Sequence, residues 1–323
     1  MPLLEENHIL GFDEIEVSQK DAKCQLAEKW LEKTATDSEL QVNEDDTQIH
    51  IKGREFAYTI DRRTALFTEM KFAGREYLNH PMELNIWRAP TDNDMYIKAE
   101  WKKAHYDKAY TRAYTTEVVQ GKHGVKIVSH ASVVAETVQK ILDVTITWKI
   151  DASGKIDADI EATKDGEFPE LPRFGVRMFL DKKLSDARYF GMGPQESYRD
   201  KHQAASHGLY RANVRDLHED YIRPQENGSH YDCGYVELNN SRYGIAAFSG
   251  STFSFNASYY TQEELEKKTH NYELAESDSV VLCVDYALNG IGSNSCGPVV
   301  LDQYRFNDVL FRFQFTLVPY VKG

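Results

Sequence analysis

Two short stretches carry side chains whose types and spacing could do chemistry: FGMGPQESYRD at residues 190–200 and RPQENG at residues 223–228. Each sets a glutamine directly before a glutamate, Gln195-Glu196 and Gln225-Glu226, on a turn marked by glycine and proline. Turns of that kind place polar groups on a rim instead of filling a core. Retaining glycosidases use two carboxyls about 5 Å apart as acid and nucleophile, so Glu196 and Glu226 raise that chemistry. The plainer reading is a pair of structural corners, in which Gln195, Glu196, Arg199, Glu226 and Asn227 brace the loops and the carboxylates accept from backbone amides, Arg199 or Arg223.

Two further motifs flank these. RAPTDND at residues 88–94 holds Asp92, Asn93 and Asp94 in a row behind Pro90; such side chains bond their own backbone or present oxygens outward. GIGSNSCGP at residues 290–298 is a second glycine-rich loop, with Cys296 near its end. The 11 histidines include no pair at the i, i+4 spacing of two zinc ligands on one helix face. The four cysteines, Cys24, Cys233, Cys283 and Cys296, show no C-x-x-C spacing, so neither a zinc site nor a disulfide framework is indicated and a reducing cytoplasm is the expected home.

The elements that must position these motifs read as strands. Apolar residues alternate at Ile49 and Ile51, at Phe56, Tyr58 and Ile60, and through residues 66–72, the pattern of half-buried antiparallel strands. The cleanest run is Leu142, Val144, Ile146, Trp148 and Ile150, which turns at Ala152-Ser153-Gly154 and returns through Ile156, Ala158 and Ile160, predicting a hairpin. Further strands are expected around residues 125–134, 174–180, 231–239, 243–248, 280–286 and 310–318. Helix signals are few; the best is TQEELEKKTH at residues 261–270, with Thr261 and Glu264 as a capping box. Many strands and few helices predict an all-β sandwich of antiparallel sheets. Residues 41–323 are expected to form one large domain, preceded by an arm at residues 1–40 in which Leu26, Trp30 and Leu31 fall at near-helical spacing.

Composition limits the partners. The chain has 323 residues, 41% hydrophobic and 28% charged, a globular balance. Its net charge of −13 opposes a nucleic-acid partner. The acidic N-terminus lacks the basic and apolar regions of a signal peptide, and no stretch reaches the ~18 apolar residues of a membrane span.

In order and spacing the four motifs resemble those of the C-terminal β-sandwich region of the large retaining β-galactosidases of the lactose-operon type, from about Val42 onward. Some bacteria encode that family as two polypeptides, and the sequence is similar to the small one. The resemblance implies a galactose mutarotase-like supersandwich and a large catalytic subunit as partner. That partner would supply the catalytic glutamates and the magnesium, with sodium as a further candidate, so this chain would hold no cofactor, metal or catalytic residue. Glu196 and Glu226 are then braces. The implied role is one wall of the β-galactoside cleft, formed by Asp92, Asn93, Asp94, Met95, Tyr96, Asn294, Ser295 and Cys296. Two departures stand out: Tyr96 lies near the place of a glycine in the family's mobile segment, and Cys296 holds the place of a tryptophan that stacks on the sugar. The arm at residues 1–40 is expected to dock on the partner. A stand-alone mutarotase-like epimerase or carbohydrate-binding sandwich is the alternative, and the epimerase would need a histidine facing a carboxylate across its cleft.

Overall fold

The computed structural model describes residues 11–15, 26–28, 40–137 and 140–322. Described residues form seventeen strands, all paired antiparallel, and two short α-helices, and residues 26–28 are helical as well. Five make a small sheet in chain order: β1 (Gln41–Glu44), β2 (Gln48–Lys52), β3 (Phe56–Asp61), β4 (Leu66–Phe72) and β5 (Arg75–Glu76). The rest belong to a twelve-stranded sheet. Its main path runs β13 (Ser206–Asn213), β12 (Asp186–Gly193), β14 (Ser229–Asn239), β15 (Tyr243–Ser258), β17 (Leu310–Val321), β10 (Ile156–Lys164), β9 (Leu142–Asp151), β8 (Gly124–Val134), β7 (Tyr110–Gln120). A branch leaves β15 through β16 (Ser279–Leu288) to β11 (Arg173–Asp181) and β6 (Leu78–Asn85).

The alternating residues explain the packing. In β9, Leu142, Val144, Ile146, Trp148 and Ile150 are all buried, and in β17 Phe311, Phe313, Phe315 and Leu317 are. The small sheet closes over them: Phe67 meets Trp148 edge-on at 4.9 Å, and the Trp148 Nε1–H donates to the Ala65 carbonyl at 2.8 Å. On the branch, Phe174 of β11 meets Phe311 at 4.8 Å. One hydrophobic cluster runs from Leu40 to Leu317 through both sheets. The hairpin through Ala152-Ser153-Gly154 forms as the sequence predicts, with Ile156 opposite Ile150.

Several expectations need correction. Residues 190–193 are the end of strand β12, not a tight turn. Gly191 and Gly193 are there for close approach: a Cβ on Gly191 would sit 2.2 Å from the Cys233 Sγ, and one on Gly193 would sit 2.4 Å from the Tyr189 hydroxyl. The strand expected at residues 243–248 continues to Ser258, because its first half pairs with β17 and its second with β16. Half of the capping box forms. Thr261 Oγ1 accepts from the Glu264 amide at 3.1 Å at the start of α2 (Gln262–Lys267), while the Glu264 carboxylate accepts from the Ala275 amide. An unexpected helix, α1 (Ile97–Lys103), follows RAPTDND.

Of the arm, Trp30, Leu31 and Cys24 lie outside the described residues. The described pieces rest on the sandwich itself. Ala27 is buried against Tyr235, Ala246, Phe248, Val318 and Tyr320, and the Glu14 carboxylate accepts from the His207 amide at 2.8 Å.

Candidate functional site

The four motifs, spread over two hundred residues of chain, meet as one loop platform at one end of the sandwich. Arg88 is its central tie. Fully buried, its guanidinium donates to both Asp94 oxygens at 2.7 and 3.2 Å, and to the carbonyls of Asn289 at 2.5 Å and Gly290 at 3.0 Å. The planar five-donor fork of arginine suits such multiple bonding. The first motif is thereby held to the fourth. Asn93 repeats the link, donating to the Gly292 carbonyl at 2.7 Å and accepting from the Ser295 hydroxyl at 2.8 Å.

RPQENG joins through Gln225, which accepts from the Asp92 amide at 3.0 Å and donates to the Asp92 carboxylate at 3.2 Å. FGMGPQESYRD joins through its two acids. Glu196 accepts from the Gly228 amide at 2.8 Å and is also bonded to Lys201 and Tyr221. Asp200 accepts from the amides of Ile291 at 2.9 Å and Gly292 at 2.7 Å. Gly228 must be glycine: its φ is +69°, and a Cβ would lie 2.2 Å from the Leu217 carbonyl oxygen.

Beneath the platform lies a buried ionic group. Arg173 of β11 donates to Asp285 of β16 at 2.6 and 3.2 Å and to Glu226 at 3.3 Å, all three side chains being almost wholly out of solvent. Burial pushes both carboxyls above their usual range, against the pull of Arg173 and, for Glu226, of Arg88 as well. Removing one partner from such a group leaves an uncompensated charge, so the network fixes where the loops start.

The residues singled out from sequence therefore divide. Glu196 and Glu226 anchor loops through Lys201, Tyr221, Gly228 and Arg173, not through Arg199 or Arg223. Neither is presented to solvent as an acid and nucleophile pair would be, Glu196 having 7% side-chain exposure and Glu226 2%. Asn227 caps its own loop, accepting from the Glu219 amide and donating to the Gln225 carbonyl. Arg199 donates to the Arg305 carbonyl at 3.1 Å, and Gln195 is exposed. Asp94 is buried under Arg88 and closes the turn by accepting from the Thr91 amide at 2.8 Å. Asp92, Met95, Tyr96, Ser295 and Cys296 form an exposed rim, with Asn93 and Asn294 half-buried among them.

Helix α1, behind that rim, is pinned by Trp101, which is buried beside Trp87 and donates from Nε1 to the Glu170 carbonyl at 2.9 Å. Sequence reasoning gave no role to Arg88, Asp200, Gln225, Arg173 and Asp285. The first three stand inside the quoted motifs. Asp285 is the one charge in the apolar strand SVVLCVDYAL, and Arg173 opens the largely buried strand RFGVRMFLD; a charge in such a strand is itself a signal of a paired buried ion.

Chemically the arrangement is a rigid polar rim on an antiparallel β-sandwich, suited to positioning a bound molecule. Among the described residues no group of three or more His, Cys, Asp or Glu side chains is placed to hold a metal ion, and no helix is long and apolar enough to cross a membrane.

Comparison with known proteins gives the rim its context. The family model described as "Beta galactosidase small chain" matches residues 52–317. The chain is 42% identical to the beta-galactosidase of Actinobacillus pleuropneumoniae over 98% of its own length and 30% of that protein's. It is 33% identical to the beta-galactosidase of Staphylococcus xylosus over 97% of its length and 31% of that protein's. This chain belongs to the beta-galactosidase small chain family, and it spans about three tenths of the length of these curated relatives. Among solved structures, galactose 1-epimerase from Lactobacillus acidophilus aligns over 90% of this chain and all of its own, with 8% identity and a TM-score of 0.45, a likeness of outline only.

Proposed function

We propose that this chain is a non-catalytic but required subunit of a two-chain β-galactosidase that hydrolyses terminal β-D-galactose residues, as in lactose, with retention. The observation that carries this is the convergence of all four motifs, tied by Arg88, Asn93, Asp200, Gln225 and Glu196, on one exposed rim. The acid and nucleophile, and the magnesium or sodium ion, would belong to the large subunit; the carboxylates of the motifs in this chain are already engaged. The rim of Asp92, Asn93, Met95, Tyr96, Asn294, Ser295 and Cys296 would close one wall of the partner's cleft. Its contribution to rate is positioning and exclusion of water, which a fixed surface supplies without any reacting group.

The epimerase alternative gains no support from geometry. Among the described residues, Asp232 lines a cavity and His207 bonds to it at 2.7 Å, so these two do not face one another across a sugar ring.

Three assays on a chromogenic galactoside test the assignment: this chain alone, the large chain alone, and both mixed. Hydrolysis is expected only from the mixture. Cleavage by this chain unaided, or full activity of the large chain without it, overturns the assignment.

A further inference from the structure

A cavity of about 210 Å³ lies beside the loop platform, where strands β14, β15 and β16 come together. Its lining includes three tyrosines, Tyr198, Tyr231 and Tyr286, together with Arg199, Asp232 and Asp308. Asp232 adopts a left-handed backbone conformation, φ +52°, where the pairing of β14 with β15 shifts register between His230 and Cys233. Bulges of this kind re-aim side chains and collect beside binding sites. Here the bulge residues Tyr231 and Asp232 both line the cavity.

The lining selects a class of ligand. The half-buried Tyr231 and Tyr286 offer apolar ring surface to C–H bonds, and their hydroxyls, the Arg199 guanidinium and the two carboxylates serve a ring that carries many hydroxyls, whereas the Tyr198 hydroxyl is buried. One arginine against two aspartates gives a net negative lining, which disfavours phosphates and sugar acids. Drug-sized ligands occupy about 300–1,000 Å³, so a cavity of about 210 Å³ suits a single ring.

We propose that this chain carries its own pocket for one neutral pyranose, separate from the rim that would border the partner's cleft. The pocket adjoins that rim through consecutive residues. Arg199 lines the cavity and holds the Arg305 carbonyl, and the next residue, Asp200, holds the amides of Ile291 and Gly292 at the root of the Cys296 loop. This site does not depend on the β-galactosidase assignment.

The test is saturation-transfer NMR on the full chain and on the assembled enzyme with D-galactose, D-glucose and lactose, and with D-glucuronate as a charged control. Neutral sugars should bind with Kd on the order of 1 mM or weaker. Arg199→Ala and Thr252→Trp, the latter placing an indole at the exposed mouth of the cavity, should weaken binding about tenfold. Asp308→Asn, at an exposed position, provides a further variant should either of those fail to fold. No transfer to any neutral sugar at tens of millimolar, glucuronate binding as tight as galactose, or a folded Thr252→Trp chain that binds as before each overturns the pocket.

Discussion

Arg88 shows how one side chain can fix two loops two hundred residues apart. A single guanidinium serves Asp94, Asn289 and Gly290 with no exposure to water. Its removal leaves the Asp94 carboxylate buried and unpaired, which costs on the order of 3–5 kcal/mol, against roughly 0–1 for a surface pair. Arg88→Ala is therefore expected to lower the free energy of unfolding, measured by denaturant titration, by that much. Arg88→Lys should fall between, because one ammonium cannot reproduce the fork. A change below about 1 kcal/mol in Arg88→Ala would show that the platform is held elsewhere.

His230 makes a pH prediction at the same scale. Burial, against a hydrogen bond to the Met192 carbonyl and the nearby Glu196 charge, lowers its pKa from 6.5 to about 4. The imidazole is thus neutral in the fold while the unfolded chain protonates it near 6.5. The stability it contributes is whole above about 6.5 and disappears as pH falls from there towards about 4, a loss on the order of 3 kcal/mol. Glu226 and Asp285, both raised by burial, act in the opposite sense as they take up protons. His230→Phe, filling the space between Tyr189 and Phe255, isolates the histidine's part. Its Tm should fall less between pH 7 and pH 5 than that of the parent chain; an equal fall removes His230 from the account.

Among the elements, those with one buried and one wet face were legible. β9 and β10 announce themselves because every second side chain is apolar and the turn between them contains glycine. β7 and β13 did not, because as sheet edges they bury little and alternate weakly, with Tyr110, Tyr114 and Leu209 exposed. β6 was hidden by Pro81, which an edge strand tolerates. The candidate site was legible as four motifs but not as one network, since Arg173 and Asp285 reach it from strands far apart in sequence.

The arm is the element with the clearest test. Ala27 and Glu14 rest on this chain's own sheet, and we propose that the arm at residues 1–40 docks on the partner subunit. Deleting residues 1–38 should abolish co-purification with the large subunit. Undiminished association would leave the arm with a role inside this chain only.

For the whole molecule, the net charge of −13 accords with the protein partner and neutral sugar of the assignment proposed above and opposes a nucleic acid. An obligate partner of this kind would bury roughly 2,000 Å² or more. The rim's most direct reporter is Cys296, exposed on the loop that Asn93, Arg88 and Asp200 hold in place. A thiol provides no stacking surface for a pyranose, whereas an indole does. The decisive measurement is the kinetics of Cys296→Trp in the assembled enzyme. A shifted KM for lactose or a shifted ratio of transfer to hydrolysis is expected if this loop reaches the sugar; parent values for both would show that the rim stands away from the cleft.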